Sequence, residues 1–167
     1  KDTAKFMKYY SQSLNYFTQY QAKCSTSKMN IEDYTYLAKA SRGMNNDSAS
    51  MRYYNMVIAL DSTKEQNILK EMGNGYYSLK KFDLAIEVYK KLMVKYPTPN
   101  TQYKLMDAYY LSKRWNETKI AADSFIANNP GNPLGFLYKA RALSYTDTTN
   151  DRKAAADMYK IYLERTT

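Results

Sequence analysis

The chain has 167 residues, 44% of them hydrophobic, which suffices to bury one sizeable core and requires no second domain. Lys and Arg number 25 against 16 Asp and Glu, a net charge of +9 that favours an acidic partner (peptide, nucleic acid or membrane surface) without choosing among them. Histidine is absent and Cys24 is the single cysteine, which excludes His-based nucleophilic triads, the usual general acid or base, an internal disulfide and CxxC metal or redox pairs.

No apolar run approaches the roughly 18 to 20 residues that a membrane span needs, and no signal peptide opens the chain. It begins at Lys1 rather than Met, as a processed chain or an excised fragment of a longer protein would.

Met7, Tyr10, Leu14 and Phe17 step by three, four and three, which predicts one apolar stripe on a helix over 3–22. "CSTSKMN" then breaks it. Beyond that point helical segments come in pairs, punctuated by "GMNND" at 43, "DSTKE" at 61, "PTPN" at 97, "NNPGNP" at 128 and "TDTTND" at 146. With only 5 glycines and 4 prolines and few β-branched runs, the chain reads as all-α, with about nine helices.

The segments repeat. One copy runs Leu69-x2-Met72-Gly73-x2-Tyr76, then Ala85-x3-Tyr89, then Pro97. Its order of large, large, small and aromatic, then small and aromatic, then proline, resembles the tetratricopeptide repeat. An earlier copy reads Tyr34-x2-Leu37-Ala38-x2-Ser41, then Ser50-x3-Tyr54. Later, "YYLSKRW" (109–115) mirrors "YYSLKKF" (76–82), and Pro130 follows Pro97 by 33 residues, although Thr118 replaces the expected alanine and Met106 stands in the place of Gly73. A loose fourth copy runs Phe136, Ala140, Leu143, then Ala155-x3-Tyr159, with Lys139 expected to snorkel from an apolar place. The small residues Ala38, Gly73 and Ala140 are expected to let paired helices approach closely.

The resemblance implies a right-handed α-α superhelix: a lone N-terminal helix and connector over 1–30, then four hairpins over 31–167 in a single solenoid domain. The apolar positions of "AAADMYKIYLE" near the C-terminus raise the further expectation of continuation or self-association there.

Catalytic and metal sites are not expected. Glu65 with Glu71, and Asp147 with Asp151, are carboxylate pairs that nothing places in a pocket. Asp147, Thr149 and Asp151 have the alternate spacing of a calcium loop but lack its turn glycine and distal glutamate. No phosphate loop, nucleophile elbow or cofactor motif is present, so neither enzyme activity nor a cofactor is expected.

In arrays of the resembled kind the first helix of each pair lines a concave surface that meets an extended peptide. Phased on the strong copy, that surface carries Tyr36, Lys39, Lys70, Asn74, Tyr77, Lys104, Tyr110, Tyr138 and Arg141 as expected peptide-binding residues, with Glu32, Glu71 and Asp107 as acids among them. Lys and Arg offer charge-assisted hydrogen bonds, Asn74 an amide for peptide backbone, and the tyrosines rigid apolar area with a polar tip. Lys70 and Asn74 also resemble the start of the carboxylate clamp of chaperone-binding tetratricopeptide domains, but Lys104 stands at its second asparagine, and Leu134 and Tyr138 at its last two basic sites.

The function implied is a non-catalytic scaffold for a protein or peptide, with an acidic one favoured. The alternative is a nucleic-acid binder using the same basic face, against which the interspersed acids count. Similar arrays are frequent in bacterial envelope proteins, so by analogy the periplasm or envelope is the compartment expected, with the cytoplasm also open.

Overall fold

The structure, a computed structural model, describes residues 3–23, 29–146 and 152–166. Cys24 and the "DTTND" segment at 147–151 lie outside the described residues, as does the side chain of Met7. Nine α-helices follow one another among the described residues: α1 (Thr3–Lys23), α2 (Ile31–Gly43), α3 (Asp47–Leu60), α4 (Glu65–Ser78), α5 (Phe82–Lys95), α6 (Pro99–Leu111), α7 (Trp115–Asn128), α8 (Leu134–Thr146) and α9 (Lys153–Glu164). They fall into two compact units, Lys1–Ile68 and Leu69–Thr167.

In the first unit α1 packs on α2, and α2 on α3. Asn30 starts α2 with a capping box, its side chain accepting from the Asp33 amide while the Asp33 carboxylate accepts from the Asn30 amide. Asn46 caps α3 in the simpler way. The interior of the hairpin is Leu37, Ala38, Tyr54 and Val57, each at most 1% exposed. Gly43 lets α1 come close, because a Cβ there would stand 2.5 Å from the ring of Tyr10.

In the second unit α5 packs on α6, α6 on α7, α7 on α8 and α8 on α9. α4 turns Leu69, Met72, Gly73 and Tyr76 inward, and α5 answers with Ala85, Ile86, Val88, Tyr89 and Leu92. Gly73 is required by Tyr89, whose ring would lie 2.6 Å from an added Cβ. The next hairpin reverses the sizes. Met106 occupies the place of Gly73, and the residue at the place of Tyr89 is Ala122; both are fully buried in one cluster with Phe125 and Tyr138. A large side chain on one helix is thus matched by a small one on the other, so two unlike sequences fill similar space. The other departure, Thr118, is buried with its hydroxyl donating to the Arg114 carbonyl at 2.8 Å, which satisfies it. Lys139 reaches outward as expected and meets Asp123 at 2.6 Å.

Three hairpins turn by one device. Asn45, Lys80 and Lys113 sit in the left-handed region at φ 61°, 59° and 60°. The two amides that close each turn donate back to the preceding helix: Lys80 to Tyr77, Lys81 to Tyr76, Lys113 to Tyr110 and Arg114 to Tyr109. Asparagine tolerates that conformation, whereas lysine carries a steric cost that glycine would avoid.

Candidate functional site

Because α4 buries positions 69, 72, 73 and 76, its opposite face carries Lys70, Asn74, Tyr77 and Ser78. These four, together with Lys104 of α6 and with Thr98, Asn100 and Thr101 at the start of that helix, line a recess of about 540 Å³ floored by Tyr89 and Leu92. Thr98 is fixed there as the N-cap of α6, accepting from the Thr101 amide at 3.1 Å. The Tyr89 hydroxyl donates to Asn74 Oδ1 at 2.9 Å, so the Asn74 side chain has its NH2 to offer a ligand. The Lys104 ammonium lies 4.8 Å from the centre of the Tyr77 ring.

Asp107 organises the neighbourhood. It is 7% exposed and accepts from two phenols, Tyr138 at 2.5 Å and Tyr77 through a short hydrogen bond. Burial first, and then the Asp107 carboxylate, hold the hydroxyls of Tyr77, Tyr89 and Tyr138 well above the ordinary tyrosine pKa of 10, so all three are donors throughout the physiological range.

Tyr138 is therefore not on an open face, where the sequence places it. It is 5% exposed, with the rings of Tyr103 and Tyr110 edge-on at 5.9 and 5.5 Å. Arg141 lies over Tyr110 and Tyr138 at 5.3 and 5.4 Å. Tyr110 is half-buried and also meets Trp115. Asp107 is likewise withdrawn rather than open, its carboxylate held by Tyr77 and Tyr138.

In the first unit Tyr36 and Lys39 line a separate recess of about 480 Å³ with Ile31, Glu32, Thr35, Lys64, Asn67 and Ile68. Tyr36 is 41% exposed and stacks on Phe17 of α1 at 4.9 Å. Sequence reasoning missed Thr98, Asn100 and Thr101, which precede or open α6 and so fall outside the face of any one helix. Their signal was present in "TPNT", a cap followed by a helix-starting proline.

Residues 71–99, the hairpin that builds the recess, match the tetratricopeptide repeat family. One tetratricopeptide repeat thus lies within this chain. Solved structures carry the fold well beyond that hairpin. The C-terminal part of a TPR repeat-containing protein from Cytophaga hutchinsonii superposes with a TM-score of 0.64 at 23% identity, covering 93% of this chain and 60% of that one. MamA from MSR-1 gives 0.62 at 16% identity, covering 98% of this chain and 93% of that one. MamA from AMB-1 gives 0.62 at 16%, covering 96% and 87%. At these identities the likeness concerns the fold, the all-α tetratricopeptide solenoid. No curated protein matches the sequence. A tetratricopeptide fold is in general an interaction scaffold without catalysis of its own.

Proposed function

We propose that this tetratricopeptide chain holds an acidic peptide or protein segment at the recess between α4 and α6. The observation that carries the reading is the lining: two ammonium groups, Lys70 and Lys104, and the Asn74 amide converge on one recess, while the nearby carboxylate of Asp107 is taken up by two phenols. Such groups suit a carboxylate and an extended backbone. Arg141 extends the basic face along α8, with Tyr110 and Tyr138 supporting it from beneath. Tyr36 and Lys39 would serve the same role in the first unit.

Fluorescence anisotropy with labelled acidic peptides, at roughly 50 and 200 mM salt, tests it. We expect micromolar binding, about −8 kcal/mol, weakened at least tenfold in the Lys70→Ala, Asn74→Ala double variant. Binding that ignores the double variant would move the site elsewhere. Tighter binding of single-stranded oligonucleotides, collapsing between the two salts, would replace this reading with the nucleic-acid one.

A further inference from the structure

The turns of the second unit share an edge that the recess does not use. The turn between α4 and α5 is Leu79, Lys80, Lys81, Phe82, and that between α6 and α7 is Leu111, Ser112, Lys113, Arg114, Trp115. Two contacts bind these segments into one surface. Arg114 of the later turn pairs with Asp83 beside the earlier one at 2.6 Å, and Trp115 stacks flat on Tyr145, at the end of α8, with ring centres 4.1 Å apart.

Large apolar side chains point outward here. Leu79 is 45% exposed, Leu111 42% and Tyr145 61%. The same turns carry the exposed residues Lys80 and Lys113, followed in the chain by Lys81 and Arg114, with Asp83 and Glu117 as nearby acids in sequence. Both lysines occupy left-handed turn positions, where glycine would spare the steric cost of a Cβ. The corresponding position in the first unit is Asn45, a residue that tolerates such a turn. A basic side chain has thus been placed twice where the backbone disfavours it, each time within two residues of an exposed leucine.

We propose that this edge docks on an anionic membrane surface, with Lys80 and Lys113 at the phosphate level and Leu79, Leu111 and Tyr145 entering the interface. Alternating basic and aliphatic or aromatic tips are the composition that headgroups and the acyl boundary jointly favour. A nucleic acid fits less well. Leu79 and Leu111 gain nothing on a phosphate backbone, and the Trp115 ring is occupied by Tyr145 rather than open to a base. Attachment through this edge leaves the recess between α4 and α6, with its own lysines, unused by lipid.

Co-sedimentation with vesicles tests the assignment, using phosphatidylcholine alone and a 3:1 mixture with phosphatidylglycerol, at roughly 100 and 500 mM salt. Trp115, the sole tryptophan, reports the edge directly by a blue shift of its emission on docking. The chain is expected to bind the anionic vesicles only. The Lys80→Gly, Lys113→Gly variant should bind at least tenfold more weakly while its melting temperature stays level or rises, since glycine suits both turns. Leu79→Ser, Leu111→Ser should lose the binding that survives high salt. Lys91→Gln, Lys95→Gln removes two charges from the far end of α5 and should bind like the parent. Equal loss in that control, or no vesicle binding by the parent chain, overturns the proposal. So does oligonucleotide binding that depends on Lys80 and Lys113 in a chain that ignores vesicles.

Discussion

Asp107 shows how much one side chain decides. A carboxylate that is 7% exposed would be costly if unpaired, yet two phenols from α4 and α8 donate to it, and α6 is thereby tied to a helix on either side. Asp107→Ala removes the acceptor and leaves two half-buried or buried donors unmet. We expect a loss of about 2–3 kcal/mol, read from the urea midpoint, with Asp107→Asn losing less because its amide oxygen still accepts. The sequence displays Asp107 only as one acid on a basic helix face. Its partners lie 30 and 31 residues away, and no local pattern links them. For the same reason Tyr138 reads as a groove residue when it is buried: its helical phase is correct, but its phenol has an acceptor waiting on another helix. Lys70 and Asn74, which need only the phase of α4, were legible from spacing alone.

At the scale of the hairpin, size complementarity between paired helices is the rule that the repeat pattern encodes. Gly73→Ala should raise the intrinsic helix propensity of α4 and still destabilise by about 1–3 kcal/mol, because the added methyl meets the Tyr89 ring at 2.6 Å. The reversed pair offers a stricter test. Met106→Gly opens a cavity, and adding Ala122→Tyr should recover part of the loss, so a double-mutant cycle should return a favourable coupling of about 0.5–3 kcal/mol. In the first hairpin the hydroxyls of Ser41 and Ser50 are buried without a hydrogen-bond partner among the described residues. Ser50 stands where the second hairpin has Ala85, so Ser50→Ala should stabilise by about 1 kcal/mol, seen as a higher melting temperature. From the sequence, Met106 and Thr118 look like a decaying repeat. The structure shows two compensations, one across helices and one with the Arg114 carbonyl, and only the second lies within a single helical turn.

For the molecule as a whole, the raised pKa values of Tyr77, Tyr89 and Tyr138 predict how stability depends on pH. Below about pH 10 the phenols hold their protons in both states, so their contribution is flat. Above it the unfolded chain ionises while the folded chain keeps the protons, so stability falls as pH rises from the ordinary tyrosine value through the folded one. Urea midpoints should be level between pH 7 and about 9 and decline beyond about 10, and Tyr138→Phe should soften the decline. By itself the sequence determined the type, number and order of the helices, the turns between them and the tetratricopeptide pattern, because periodicity, caps and turn residues act within a few positions. Tertiary structure alone decided which polar groups stay open and which are capped, and which turns come together into one edge. Those outcomes depend on pairs about thirty residues apart, Tyr77 and Tyr138 on Asp107, Arg114 on Asp83, Trp115 on Tyr145, and such pairs exist only once successive hairpins have stacked.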